Sequence, residues 1–258
     1  MDHLSLLPVA REAVAIGRRI VTSRAPRSVT AKSERDLVTD IDLAVEEAVR
    51  EFLARETPDI GLVGEEHGGE RGALWWVLDP VDGTANFARG IPLTGISLAL
   101  VSGERSVVAA IDLPFLDTVY TAVEHYGAFA GDTRIAVSGA SELADAMVSL
   151  GDFAVGADAG PKNRLRLALL EQLGARAERV RMIGTAAADL AWVAHGRLDA
   201  TIILSNLPWD TMAGVLLVRE AGGLVLDADG SDHTVSSAST IALAPGLRDV
   251  VLELLRAC

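Results

Sequence analysis

The segment Leu74–Thr84, with the sequence LWWVLDPVDGT, decides how the chain is interpreted. Its first five residues are a continuous apolar run of strand length, which indicates a strand buried on both faces. Asp79 closes that run and Pro80 is expected to stop the strand. Two explanations then stay open for Asp82: it is the N-cap of a following helix, or it shares one space with Asp79. The second explanation suits a hard divalent cation such as Mg²⁺, which prefers oxygen ligands.

The residues that follow this strand end could also bind an anion. Gly83 would let the backbone approach a phosphate closely, and a helix that begins at about Thr84 would offer it free N–H groups. Glu65 follows a predicted strand and Asp210 opens a predicted helix, and carboxylates at the ends of such elements can form an oxygen cage for a cation. For each residue taken singly, a solvated loop charge for Glu65 and an N-cap for Asp210 are the simpler explanations. The acidic residues within 36–42 are typical of the start of a helix, where the helix dipole favours negatively charged side chains.

Apolar periodicity predicts the helices and strands on either side of this segment. It predicts helices over 1–25, 40–56, 164–173, 185–195, 210–221 and 246–256. It predicts strands over 60–64, 74–78, 94–101, 106–113, 118–123, 128–130, 179–183, 198–204, 224–226 and 240–244. The block from 94 to 130 indicates an antiparallel meander, and the later alternation of strands and helices indicates a layered α/β unit. We expect a domain boundary in the Gly-, Ala- and Asp-rich segment 139–162, with domains over 1–138 and 139–258.

Composition excludes several kinds of partner. The 258 residues include 23 Lys and Arg against 36 Asp and Glu, a formal net charge of −13. Nucleic acid polymers and anionic membranes need a basic surface, so we expect neither as a partner. Cys258 is the one cysteine, no apolar run reaches membrane-spanning length, and the N-terminus lacks the pattern of a signal peptide. We therefore expect a cytoplasmic protein.

Several segments, spread in order over nearly the whole chain, resemble the inositol monophosphatase family of the lithium-sensitive, Mg²⁺-dependent phosphatase superfamily. They are Lys32 with Asp36–Asp42 (DLVTDID), Gly64–Glu66 (GEE), Trp76–Phe87 (WVLDPVDGTANF), Gly184–Ala187 (GTAA), Trp209–Asp210 (WD) and Glu220–Gly223 (EAGG). The Asp-Pro-x-Asp-Gly-Thr motif joined to a later Trp-Asp is the most specific of these features. The resemblance implies an α+β fold, layered as an α-β-α-β-α sandwich of the sugar-phosphatase type, with an antiparallel N-terminal sheet and a mixed C-terminal sheet.

The resemblance also implies a metal centre with two to three Mg²⁺ ions. Glu65, Asp79 and the Val81 carbonyl would hold one ion, and Asp79, Asp82 and Asp210 a second. Glu65 would also contact a weaker third ion, with Lys32 as a possible neighbour of that ion or of the phosphate. Two such cations can activate a water and stabilise the departing oxygen of a phosphate ester.

The remaining roles implied by the resemblance concern the water and the substrate. Glu65 and Thr84 would orient the attacking water, and Asp42 would hold Thr84. The amides of Gly83 and Thr84 would bind the phosphate. The substrate side would be formed by Gly184, Thr185, Ala186 and Asp210. A cap of the following helix explains Thr185 equally well.

The implied activity is the hydrolysis of inositol 1-phosphate to myo-inositol and phosphate, by a homodimer. Many members of the family carry a Glu seven residues before the Trp-Asp aspartate, where this chain has Ile203. Ser205 or Asn206 would have to bind a substrate hydroxyl instead. Histidinol phosphate, fructose 1,6-bisphosphate and 3′-phosphoadenosine phosphates therefore stay open as substrates. A catalytically idle binding relative is the alternative of another class.

Lys162, Arg164 and Arg166 form a small basic cluster in an otherwise acidic chain. The cluster would steer a phosphorylated substrate or, more simply, form the solvated start of a helix.

Overall fold

A computed structural model describes residues 3–33 and 36–258. Met1 and Asp2, where the first predicted helix starts, lie outside the described residues, as does the side chain of Asp36. The helices are α1 (Leu7–Ser23), α2 (Asp40–Glu56), α3 (Thr84–Ala88), α4 (Ala159–Arg176), α5 (Ala186–Ala194), α6 (Pro208–Glu220) and α7 (Arg248–Ala257). The strands are β1 (Val29–Ser33), β2 (Asp36–Thr39), β3 (Gly61–Gly64), β4 (Gly68–Gly69), β5 (Leu74–Asp82), β6 (Gly95–Ser102), β7 (Arg105–Leu113), β8 (Thr118–Val123), β9 (Gly127–Ala130), β10 (Thr133–Arg134), β11 (Met147–Leu150), β12 (Arg179–Arg181), β13 (Ala200–Ile203), β14 (Leu224–Leu226) and β15 (Thr240–Leu243).

The larger sheet has the strand order β10-β9-β8-β7-β6-β5-β3-β4. Most of its neighbours pair in antiparallel fashion, as the meander predicts, but β3 runs parallel to β5. The N-terminal sheet is therefore antiparallel, as expected, except at this one pair among the described strands. The chain returns from β3 through the short antiparallel strand β4, which leaves β3 and β5 pointing the same way. Because the two strands are parallel, their carboxyl ends meet at one edge of the sheet.

Pro80 does not stop β5, contrary to the sequence prediction. The strand continues to Asp82, and its register with β6 shifts between Asp79 and Asp82. Proline has no N–H to donate to a ladder, and such an irregularity is where a strand tolerates it. The shift lets β5 deliver two carboxylates at its end.

The helices and the two larger sheets form the five layers that the resemblance implies. Alternate residues of β5 face opposite ways: Trp76 and Leu78 pack with α1 and α2, whereas Trp75 and Val77 pack with α5 and α6. The core around α5 and α6 also contains Ile203 from the second sheet. The far face of that sheet packs against α4 and α7. The order of layers is therefore α-β-α-β-α.

The second sheet is mixed, as expected. Its order is β12-β11-β13-β15-β14, with β11 parallel to both β12 and β13 and with antiparallel pairs at β13–β15 and β15–β14. The segment 139–162, interpreted as a boundary, contains β11 and the start of α4. The division into domains at residue 138 stays a prediction. Among the described residues, no helix combines the length and apolarity that crossing a bilayer requires.

The tight crossing of α5 and α6 gives a prediction about stability. A Cβ added at Gly214 would lie 2.3 Å from the Cβ of Leu190. We expect Gly214→Ala to lower the free energy of unfolding by about 1–3 kcal/mol, because the overlap outweighs the better helix propensity of alanine. Urea unfolding measures the change. Gly174→Ala is the matched control, since Gly174 lies in α4 with open space around it and should stay neutral or gain slightly. A Gly214→Ala variant as stable as the parent would contradict this close packing.

Candidate metal centre and substrate cavity

The site forms where β5 ends and the short helix α3 begins at Thr84, as the sequence predicts. Gly83 joins the two with a φ of 87°, which favours glycine. A Cβ at this position would lie 2.9 Å from the carbonyl oxygen of Leu93 and 3.1 Å from that of Gly184. Glycine therefore allows the strand end to approach the loop before α5.

Three carboxylates from distant parts of the chain converge beside this turn. Each of Glu65, Asp79 and Asp210 has an oxygen within 4.8 Å of an oxygen of the other two. Glu65 follows β3, Asp79 lies in β5 and Asp210 lies in the first turn of α6. Asp79 is almost completely buried and its Oδ1 accepts a hydrogen bond from the Val81 N–H at 3.0 Å.

Asp82 lies next to this group but belongs to another hydrogen-bond set. Its Oδ2 accepts hydrogen bonds from the Thr185 hydroxyl, at 2.7 Å, and from the Ala187 N–H. Thr185 also caps α5 by accepting a hydrogen bond from the Ala188 N–H at 3.3 Å. Thr185 therefore both caps α5 and contacts Asp82 in the site. The contact fixes one oxygen of Asp82 toward α5.

The buried carboxylates repel one another. Burial raises the pKa of Asp79 well above its usual range, and the charges of Glu65, Asp82, Asp210 and Asp42 raise it further. Burial likewise raises the pKa of Asp82 to about 6, although its hydrogen bonds from α5 oppose the shift. A cation in their midst would remove this repulsion.

Asp42 and Thr84 form the pair that the resemblance implies. The Thr84 hydroxyl lies 3.0 Å from Oδ1 of Asp42 and 2.9 Å from the carbonyl oxygen of Val81. Oδ2 of Asp42 accepts hydrogen bonds from the N–H of Thr39, at 3.1 Å, and from its hydroxyl. Thr39 and Asp42 thereby form the capping box of α2. The start of this helix is what positions Thr84.

Lys32, on β1, reaches the acidic loop after β3. Its Nζ lies 2.7 Å from Oε1 of Glu65 and 3.0 Å from Oε1 of Glu66. Burial disfavours the charged ammonium, but the hydrogen bonds and charges of the two glutamates outweigh it and raise the pKa of Lys32. Glu65 is thus already paired with a cation of the protein itself.

Glu46 also supports the site, a role that the sequence analysis did not predict. This buried residue of α2 accepts hydrogen bonds from the N–H groups of Glu66, at 2.8 Å, and His67, at 3.0 Å. A Cβ at Gly64 would lie 2.3 Å from its carboxyl group. The available signal was a glutamate on the otherwise buried face of α2, one turn after Asp42.

The described residues form two adjoining cavities here. The first, of about 290 Å³, is lined by Glu65, Asp79, Val81, Asp82, Gly83, Thr84, Gly184, Asp210 and their neighbours Leu37, Ala85, Asp152 and Leu207. The second, of about 420 Å³, shares Asp82, Asp152, Gly184 and Asp210 with the first. It extends along Thr185, Ala186, Ile203 and Ser205. We call them the metal cavity and the substrate cavity.

The structure differs from two of the sequence-based expectations for the substrate side, those for Asn206 and Arg166. The side-chain amide of Asn206 donates to carbonyl oxygens of Thr234, Val235 and Ser237, which leaves it as a tie between loops and outside the cavity lining. Arg166 is buried and lines the cavity, so it does not belong to a solvated helix start. The helix α4 begins at Ala159, earlier than predicted, so Arg166 lies inside the helix and not at its start.

Comparison with known proteins identifies the class and then the family. The fold and the acidic site are those of a phosphate-ester hydrolase, and the profile of the inositol monophosphatase family matches residues 2–258. The chain belongs to the inositol monophosphatase family and is a phosphatase.

Relatives resemble this chain over most of their length. The inositol-1-monophosphatase ImpA of Mycolicibacterium smegmatis is 38% identical over 89% of this chain and 83% of its own. The Nus factor SuhB of Pasteurella multocida is 35% identical over 89% of this chain and 86% of its own. The crystal structure of the extragenic suppressor protein suhB from Bartonella henselae superposes with a TM-score of 0.88 at 31% identity, over 98% of both chains.

Asp189 gives a prediction about pH. Burial raises its pKa from 3.8 to about 8. The protonated carboxyl therefore stabilises the fold below about pH 4, and this contribution is lost as the pH rises toward 8. We expect the free energy of unfolding of Asp189→Asn to fall less steeply over this range, by up to about 1.4 kcal/mol per pH unit. Urea unfolding between pH 5 and 8 measures both slopes.

Asp132→Asn is the control, because it removes an exposed carboxylate from a turn. It should keep the slope of the parent. Equal slopes for the parent and Asp189→Asn would contradict the prediction.

Proposed function

We propose that the chain is a Mg²⁺-dependent phosphomonoesterase that hydrolyses inositol 1-phosphate to myo-inositol and phosphate. The observation that carries the proposal is the convergence of Glu65, Asp79 and Asp210 within 4.8 Å. All three donors are carboxylate oxygens, which is the ligand set of a hard divalent cation. The pKa of the buried Asp79 is raised by burial and by its acidic neighbours, so that a bound cation would stabilise its ionised form.

The proposed centre uses the ligands expected from the sequence and holds two to three Mg²⁺ ions. Glu65, Asp79 and the Val81 carbonyl would hold one ion, and Asp79, Asp82 and Asp210 a second. Bound cations would supply charge neutralisation for the phosphate and a more acidic attacking water. A third ion would share Glu65, in exchange for the ammonium group of Lys32 that now contacts it. Lys32 would then turn to the phosphate.

Thr84 is proposed to orient the attacking water. Its hydroxyl has one proton but two acceptors in reach, Asp42 and the Val81 carbonyl. When the proton goes to Asp42, the hydroxyl lone pairs can accept a hydrogen bond from the water, and the carbonyl stays available as a ligand. Burial raises the pKa of Asp42, but three hydrogen bonds from Thr39 and Thr84 favour its ionised form. The charged form of Asp42 is the one that holds the hydroxyl.

The phosphate would bind at the amides of Gly83 and Thr84. These open α3 beside the carboxylates, where N–H groups of a helix start favour an anion. The leaving group would then extend along Gly184, Thr185 and Ala186 into the substrate cavity. Phosphoryl transfer depends mainly on such positioning and charge neutralisation.

Inositol 1-phosphate as the substrate is supported by the similarity to relatives such as the inositol-1-monophosphatase ImpA of Mycolicibacterium smegmatis. Ile203 presents an apolar side chain to the cavity, so the ring hydroxyls would have to find partners elsewhere. Histidinol phosphate, fructose 1,6-bisphosphate and 3′-phosphoadenosine phosphate are the alternatives with the same chemistry. The retention of all the acidic ligands supports an active enzyme over an idle binding relative.

Cytoplasmic location and a homodimer also stay proposals. The predicted strands within 94–123 are covered on both faces, so they do not offer a dimer surface. A dimer would have to use other parts of the surface, such as the exposed Phe115 and Ile91.

Phosphate release tests the proposed function directly. We expect hydrolysis of inositol 1-phosphate with Mg²⁺, its loss in excess chelator, its recovery on adding Mg²⁺, and inhibition by millimolar Li⁺. The same assay with histidinol phosphate, fructose 1,6-bisphosphate and 3′-phosphoadenosine phosphate ranks the substrates. Release that persists in chelator would refute the metal centre. Inositol 1-phosphate among the slowest esters would refute the substrate but leave the chemistry intact.

Asp210→Asn tests the ligand set. Asp210 is proposed as a ligand at the start of α6, so its replacement should lower kcat by at least about 100-fold, as the loss of a strong electrostatic contact does. Circular dichroism should show a folded protein, and calorimetry should show weaker Mg²⁺ binding. Asp249→Asn, in the first turn of α7, is the matched control and should keep both activity and binding. Near-parental turnover in Asp210→Asn would contradict the assignment.

A further inference from the structure

Arg166 is a buried cation for which the proposed chemistry has no use. It lies in α4, is 6% exposed and lines the substrate cavity. Its guanidinium donates three hydrogen bonds, to the carbonyl oxygens of Asp152 at 2.9 Å, Lys162 at 3.1 Å and Leu204 at 3.2 Å. A guanidinium has five N–H groups. Two of them are left for a ligand.

No carboxylate of the described residues forms an ion pair with Arg166. Within the described part of the chain its recorded partners are main-chain carbonyls, and burial without a compensating charge lowers its pKa. A buried charge without an ionic partner is costly to maintain. Such a group is expected where a ligand completes its surroundings.

A second cation lies in the same wall. Lys162 precedes Arg166 by one turn of α4, lines the same cavity and is exposed. Side chains four residues apart lie on one face of a helix. The pair therefore places two positive charges in the lining of the substrate cavity, which also contains the acidic residues that it shares with the metal cavity.

Two of the carboxyl groups that line this cavity, those of Asp189 and Asp152, oppose a bound anion only weakly. Burial raises the pKa of Asp189 to about 8, which keeps it neutral near pH 7. Asp152 is exposed, so water and salt screen its charge.

We propose that Arg166 and Lys162 bind a second anionic group, a phosphate or a carboxylate, carried by the leaving group of the substrate. This inference rests on the proposed phosphomonoesterase, because the shared lining places the leaving group of an ester bound in the metal cavity inside the substrate cavity. The cavity volume of about 420 Å³ is in the range of small-ligand sites. Between two esters that differ only in a second anion on the alcohol, the doubly anionic member would be the better substrate.

Matched pairs of esters test the inference in wild-type enzyme with Mg²⁺ at constant ionic strength. Fructose 1,6-bisphosphate is compared with fructose 1-phosphate, and 2-phosphoglycerate with glycerol 2-phosphate. The first pair differs by a phosphate and the second by a carboxylate, so the pairs separate the two sources of anion. We expect kcat/KM to favour the doubly anionic member of at least one pair by about tenfold or more, as charge-assisted hydrogen bonds would provide. A ratio near one in both pairs overturns the inference.

Three variants then assign the effect to residues. Lys162→Gln and Arg166→Gln should raise KM for the doubly anionic ester and reduce the ratio at least threefold, with kcat largely kept. Arg164→Gln removes the same charge from an exposed position of the same helix outside the cavity lining, and should keep the ratio. A ratio that survives in both cavity variants overturns the proposal.

The design separates this inference from the proposed function. If Arg166→Gln lowers kcat/KM for both members of a pair equally and Lys162→Gln leaves the ratio unchanged, Arg166 is only a tie between loops and the inference fails. If wild-type enzyme hydrolyses none of the esters, including inositol 1-phosphate, the proposed function itself fails.

Discussion

The burial of Asp79 at the end of a fully covered strand is the constraint on which the rest of the site depends. A carboxylate in that position cannot be solvated, and Glu65 and Asp210 lie close enough to repel it. The neighbouring acids are each held by partners of their own. Asp42 is held by Thr39 and Thr84, and Asp82 is held from α5. The structure therefore brings the carboxylates of Glu65, Asp79 and Asp210 into one small space, an arrangement that favours a bound divalent cation.

The topology of the sheet explains how this charge converges. The parallel pairing of β3 with β5 brings Glu65 to the same sheet edge as Asp79. The register shift after Asp79 keeps the strand going to Asp82, and the left-handed turn at Gly83 then admits the loop at Gly184. Asp210 comes from the middle helical layer, which packs on both large sheets. The centre thus needs both sheets to be in place.

Most of the longer helices and strands could be predicted from the sequence, because they follow short-range patterns. The acidic ligands were expected from short motifs that resemble those of the inositol monophosphatase family. The prediction of α2 over 40–56 and of a helix start at Thr84 is confirmed. Three features could not be predicted for physical reasons. The direction of β3 depends on pairing rather than on local propensity. The contact between Lys32 and Glu65 joins residues far apart in sequence.

The third feature is the burial of Arg166, which the local sequence pattern does not indicate. A charged residue near other charged residues in a weak helix start is typical of a solvated surface. Its burial follows from tertiary contacts, since its guanidinium ties the loops after β11 and β13 to α4. Glu46 is the acidic counterpart, a buried charge that holds backbone N–H groups of the loop after β3.

Glu46 and Arg166 act on different parts of the site, Glu46 on the metal cavity and Arg166 on the substrate cavity. Glu46 shapes the loop that carries Glu65 and so acts on the metal cavity, which is common to every ester the enzyme would hydrolyse. Arg166 shapes the loops at residues 152 and 204, and both of these loops line the substrate cavity. Because the two charges act on different loops, the acidic ligands can stay constant while the wall around Arg166 and Ile203 changes. The same carboxylate geometry can therefore serve different leaving groups, and the identity of the substrate is determined by residues that lie outside the acidic motifs.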